Sequence, residues 1–119
     1  MVMFRLEEHT ENPEDSAPVF KPGQIAQHRL YSYRGVVVDS DPECMADDSW
    51  YLSNQTQPSR NQPWYHVLVH GSDHSTYVAE SNLEADSSGQ PIEHPMLQNF
   101  FKGLGNEGYV RNTTPWPSL

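Results

Sequence analysis

The run Trp64-Tyr65-His66-Val67-Leu68-Val69 constrains the fold more than any other stretch of the chain. Aromatic and β-branched residues favour a pleated strand, and alternation divides them between two faces. Tyr65, Val67 and Val69 point one way; Trp64, His66 and Leu68 point the other. Gly71-Ser72-Asp73 supplies a hairpin turn, and Ser75-Thr76-Tyr77-Val78-Ala79 the returning strand. Glu80-Ser81-Asn82 makes one tight turn into a short last strand, Leu83 to Ala85.

Upstream, Phe20-Lys21-Pro22-Gly23 turns into a strand from about Gln24 to His28. Tyr31-Ser32-Tyr33 and Arg34-Gly35 read as a hairpin connection into Val36-Val37-Val38, with Arg34-Gly35 the tight-turn signal. Asp39-Ser40-Asp41-Pro42 closes that strand, because proline has no N–H for a ladder. Glu43 to Leu52 has room for about two helical turns, with Asp41 as cap and Pro42 at the first position. Ser53 to Pro63 is a polar loop of the length that is usually mobile or functional. A short helix is expected from His94 to Phe101, started by Pro95, and Gly103, Gly105 and Gly108 then end regular structure. This pattern predicts a mostly β fold: a small SH3-like β-barrel of about five strands with one or two short helices, an OB-fold being second choice. The expected organisation is a flexible acidic leader over 1–17, a domain over 18–102 and an irregular tail over 103–119.

Charge narrows the function. The chain carries a net charge of −9 and a mean hydropathy of −0.75. In the leader Arg5 stands against Glu7, Glu8, Glu11, Glu14 and Asp15, so −4 belongs there and −5 to the rest. That balance opposes non-specific nucleic-acid binding and docking on anionic lipid. No stretch approaches the roughly 18 apolar residues of a membrane helix, and the acidic start is not a signal peptide, so no membrane partner and a cytoplasmic location are expected. Cys44 is the one cysteine, which excludes a disulfide scaffold and a zinc site with two Cys ligands from one chain. Among the neighbours Glu43, Asp41 and Asp47 it reads as a small buried side chain rather than a nucleophile. His66, His70 and His74 invite a metal, but Gly71 interrupts the helical spacing that would align two of them. Asp39, Asp41, Asp47 and Asp48 lack the spacing of a calcium loop. No phosphate-binding glycine loop or nucleophile elbow is present, so neither enzyme activity nor a cofactor or metal is expected.

The order Gly23-Gln24, His28-Arg29, Tyr33-Arg34-Gly35-Val36-Val37, Asp41-Pro42, Gln62-Pro63-Trp64-Tyr65-His66-Val67-Leu68-Val69, Tyr77-Val78-Ala79-Glu80-Ser81-Asn82-Leu83 and His94-Pro95 resembles the HspQ family, also described as the YccV-like, hemimethylated-DNA-binding domain. The likeness covers roughly residues 19–100. The Asp41–Met45 and Ile92–Pro95 blocks are most similar to the version appended to eukaryotic F-box proteins. No F-box fits in the 17 residues upstream, so the expectation is a stand-alone module. The resemblance implies an SH3-like barrel in the cytoplasm with no catalytic residues. It implies either regulation of protein turnover, as a stress-induced, heat-shock-type factor acting with an ATP-dependent protease or its substrates, or binding of hemimethylated DNA near a replication origin.

Two sets of side chains fit these alternatives. Tyr31, Tyr33, Trp50 and one of Trp64 and Tyr65 are candidates for a partner-binding groove between the first hairpin and the 43–62 loop, working by aromatic anchoring and edge-strand pairing. Of the adjacent Trp64 and Tyr65, one fills the core and the other points away from it. Lys21, His28, Arg29, Arg34 and Arg60 are candidates for phosphate contacts, unless Arg29 and Arg34 pair with Asp39, Asp41, Glu43, Asp47 or Asp48. The reading is therefore a non-catalytic regulator or adaptor in protein turnover and stress response, with DNA binding as the alternative. An exposed hairpin edge leaves a homo-oligomer open.

Overall fold

The computed structural model describes residues 19–117, so the expected leader over 1–17 lies outside the described residues. Five strands form one antiparallel sheet: β1 (Ile25–His28), β2 (Arg34–Asp41), β3 (Trp64–Val69), β4 (Ser75–Ala79) and β5 (Leu83–Ala85), in the order β4-β3-β2-β1-β5. A second sheet pairs β6 (Phe101–Gly105) with β7 (Gly108–Arg111). The helices are single turns, α1 (Asp48–Leu52) and α2 (Leu97–Phe100).

The sheet is open, which corrects the expectation of a closed SH3-like barrel and of the OB-fold alike. Its outer strands, β4 and β5, share no ladder: β4 bonds only to β3, and β5 only to β1. The 3-10 turn Glu80–Asn82 carries the chain from one edge to the other, and the three residues of β5 are used on β1.

Burial follows strand alternation on both faces. Val37, Tyr65, Val67, Val78 and Leu83 meet Phe20 and Ala26 in one cluster. Val36, Val38 and Leu68 meet Ile92, Phe100 and Phe101 in a second, on the opposite face. The second cluster exists because α2 and the β6–β7 hairpin cover that face. Residues 101–111 are thus an ordered hairpin and not the start of an irregular tail, with Gly103, Gly105 and Gly108 inside strands. Gly108, at φ +117°, lies against Gly23, at φ +97°, and the Tyr109 N–H donates to the Gly23 carbonyl at 2.8 Å. A side chain at either glycine would meet backbone of the other segment.

The β2–β3 register slips between Val37 and Asp39, leaving Val38 as a bulge. The Arg111 guanidinium donates to the Val38 carbonyl at 3.1 Å and to Phe100 O at 3.0 Å, so the hairpin satisfies the acceptor that the bulge frees. Tyr65 anchors the start of the described chain: its hydroxyl accepts from the Val19 and Phe20 N–H groups and donates to Glu80 at 2.7 Å.

Local signals shifted in three places. Arg34 and Gly35 lie inside β2, and the turn precedes them, with Ser32 at φ 66°. His28 makes that turn possible: its Nδ1 accepts from the Leu30 and Tyr31 N–H groups, both at 3.1 Å. Helix α1 begins later than Glu43 because Asp47, not Asp41, accepts from the Trp50 N–H at 2.9 Å. Helix α2 starts at Leu97 and not at Pro95.

Gly35 is required by packing. A Cβ there would meet the Val67 Cγ1 and stand 2.6 Å from the Leu68 carbonyl oxygen. Gly35→Ala should therefore cost about 1–3 kcal/mol of stability, read as a lower midpoint in urea unfolding; an unchanged midpoint would refute the close approach.

Candidate functional site

Between the first turn and residues 46–58 lies an open groove of about 620 Å³. The structure places Tyr31, Tyr33, Trp50 and Trp64 along it, together with Tyr77, His28, His66 and Trp116. Tyr65 is elsewhere: it is fully buried, edge-on to Phe20 in the first cluster. Alternation does turn Trp64 to the opposite side, yet its exposure is only 3%, because Trp50, Tyr51 and Tyr77 pack over it with Cys44, Ala46 and Ala79. Trp64 is thus a wall and not a projecting ring. Tyr31, 51% exposed, is the open one, and it donates from its hydroxyl to Gln55 at 3.0 Å across the groove.

The 53–63 loop holds its shape through Tyr51 and Arg60. Tyr51 donates to the carbonyls of Gln57 and Pro58. Arg60 stacks on the Tyr51 ring, pairs with Asp48 at 2.9 Å and donates to the carbonyls of Cys44 and Ala46. Cys44 itself is buried and unpaired.

Behind two of the lining residues, His66 and Tyr77, a carboxylate outside the lining orders the rings. Asp41 accepts from the Tyr77 hydroxyl at 2.6 Å and faces His66 Nε2 at 3.3 Å. The His66 ring stacks on Tyr77 with centroids 4.5 Å apart. Because a carboxylate only accepts, the neutral imidazole carries its proton on Nε2. Burial pushes the Tyr77 phenol well above its ordinary value, reinforced by the bond to Asp41, so it stays a donor. Burial likewise raises Tyr33, whose hydroxyl shares a 2.8 Å bond with Thr76.

The candidate phosphate contacts are not brought together. Arg29 pairs with Glu84 at 3.4 Å and donates to Leu83 O. Arg34 pairs with Asp86 at 3.0 Å and donates to the Gln90 carbonyl. Burial works against the Asp86 charge, but bonds from Arg34, Ser88 and the Gly89 N–H outweigh it and hold the carboxyl below its usual range. The arginines do pair with acids, but Arg29 and Arg34 choose Glu84 and Asp86 rather than the 39–48 group, because β5 and the loop after it run alongside β1. Lys21 lies on a different surface, beside residues 105–111. His28 is buried beneath Tyr31 and Tyr33. His70 and His74 are likewise engaged apart from His66, His70 accepting from Glu93 N–H. Among the described residues no group of three or more His, Cys, Asp or Glu is placed to hold a metal. No described helix is long and apolar enough to cross a membrane.

Sequence reasoning missed Tyr77, His66 as a groove residue, and Trp116. Alternation within β4 puts Tyr77 on the Trp64 side, and that signal was available. Nothing local to Trp116 indicates where its ring goes.

An uncharged aromatic groove carried on a small sheet is the architecture of a binding module. The chain belongs to the YccV-like family: the family described as hemimethylated DNA-binding protein YccV like matches residues 18–108. This is a family of non-catalytic binding modules, the HspQ family to which the sequence is similar. F-box only protein 21 carries the same domain. The chain is 31% identical over 93 residues to the Pongo abelii and Homo sapiens proteins, and 30% to that of Mus musculus. In each case the match covers 76% of this chain and 15% of the relative, so the chain spans a small part of the length of the curated relatives it matches.

The two buried imidazoles predict a pH dependence. Burial lowers both His28 and His66 from 6.5, with Asp41 only partly offsetting it for His66. The unfolded chain takes up these protons first as pH falls, so stability is level above about pH 6.5 and declines below it until the folded-state values are passed. Ring resonances of both residues should titrate with midpoints under 6.5; a midpoint at or above 6.5 contradicts the burial argument.

Proposed function

We propose that this chain is an adaptor-type binding module that grips a segment of a protein partner in its aromatic groove and acts in protein turnover. The single observation that carries this reading is the groove's chemistry. In a chain of net charge −9, its lining contains aromatic rings, amides, hydroxyls and neutral histidines, and no Lys, Arg, Asp or Glu. Rings of this kind supply most of the energy in protein recognition, whereas phosphate recognition requires cations. The presence of the same domain in F-box proteins supports a setting in protein degradation, and the resemblance to HspQ supports an ATP-dependent protease or its substrates as partners in the cytoplasm.

The alternative follows from the family's description, which names hemimethylated DNA. It would require contacts from Lys21, Arg29, Arg34 and Arg60, three of which already serve acids and carbonyls within the fold.

Affinity capture with the intact chain and with Trp50→Ala decides between them. Recovery of degradation components or their substrates, weakened at least about tenfold by Trp50→Ala, is the expected result. Titration against hemimethylated and unmethylated duplexes provides the opposing test. Each phosphate contact would contribute about −0.9 to the slope of log K against log salt. Selective binding of the hemimethylated duplex with such a slope, unaffected by Trp50→Ala, would overturn the protein-segment reading.

A further inference from the structure

One end of the groove already holds a piece of the chain. Trp116 is partly buried, its ring centroid 5.0 Å from Phe100 and 5.5 Å from His66, and it lines the groove together with Pro117. The attachment of this segment is unusual. Asn112 is fixed to the body, its N–H donating to Phe100 O at 2.8 Å and its side-chain amide to Asn99 O at 2.9 Å. Among the described residues Thr114 bonds only back to Asn112. No hydrogen bond joins Pro115, Trp116 or Pro117 to any other described residue. One indole therefore holds the segment, between two prolines that cannot donate from their backbone nitrogens.

We propose that the groove accepts an extended partner segment carrying an aromatic side chain flanked by prolines, and that Pro115-Trp116-Pro117 is an internal copy of that segment, competing for the same end of the groove. This deepens the groove reading above and rests on it. Prolines hold the backbone extended, so little ordering entropy remains to be lost on docking, and aromatic-lined grooves recognise such segments through ring packing. The groove's lack of charge matches a ligand without charge. His66, stacked on Tyr77 and tilted against Trp116, joins the occupied end to the rest of the site. An occupant tethered four residues from its anchor at Asn112 competes at a high effective concentration, so the intact chain should respond weakly to added ligand.

The probe is a capped synthetic peptide with the sequence of residues 112–119, titrated into the isotope-labelled full chain and its variants by heteronuclear NMR. In Trp116→Ala the peptide should bind at least about tenfold more tightly than to the intact chain and shift the amides of His66, Thr76 and Tyr77. Since losing the indole uncovers Phe100, a second variant, Pro115→Gly with Pro117→Gly, keeps the ring and weakens only the segment's extended bias. It should raise affinity in the same direction, and it decides the matter if Trp116→Ala fails to fold. Equal affinity for the intact chain and the variants, or shifts confined to other surfaces, overturns the proposal. If the peptide fails to bind any form while Trp50→Ala still weakens partner recovery, this inference falls and the groove reading stands.

Discussion

The domain depends on β3 being apolar on both faces. Tyr65 and Val67 fill one cluster, Leu68 a second and Trp64 a third, so a single six-residue strand contributes to every buried region. A strand apolar on one face needs one covering layer; this one needs two. That requirement explains why α1, α2 and the C-terminal hairpin cover the face that carries Trp64 and Leu68, while Phe20 closes over the face of Tyr65 and Val67. It also explains Gly35, since β2 must approach β3 closely enough for both faces to pack.

The same economy governs charge. Arg29, Arg34, Arg60 and Arg111 each bond to backbone carbonyls at places where the chain leaves regular pairing, and three of them also meet an acid. Hydrogen bonds from a guanidinium to otherwise unpaired carbonyls are strong and directional. The cations thereby become part of the framework, and the groove is left to neutral groups. An acidic protein can in this way present a surface with almost no local charge, suited to rings and extended backbone.

The order of the groove's rings comes from one carboxylate outside its lining. Asp41 terminates β2 and reaches both Tyr77 and His66, which stack on each other, while Tyr77 also receives the Met45 N–H at 3.0 Å. The bulge at Val38 shifts the register from Asp39 onward, so Asp39 faces His66 across the ladder and Asp41 faces Trp64. A backbone irregularity in β2 thus sets the side-chain arrangement of the site.

The strands β3 and β4, the 3-10 turn and β5 were legible in the sequence because alternation and turn chemistry act over a few neighbouring residues. The aromatic inventory was legible too, and the acidic balance limited what those rings meet. Tertiary structure alone decided that the sheet stays open, that Trp64 is a wall, that residues 101–111 pair, and that Trp116 lies beside His66. Those outcomes rest on segments meeting across dozens of residues, as when Gly108 meets Gly23 or Arg111 finds the carbonyl of Val38. Local propensity contains no record of such meetings; they are settled by which uncovered face, freed carbonyl or bare backbone each segment reaches when the chain folds.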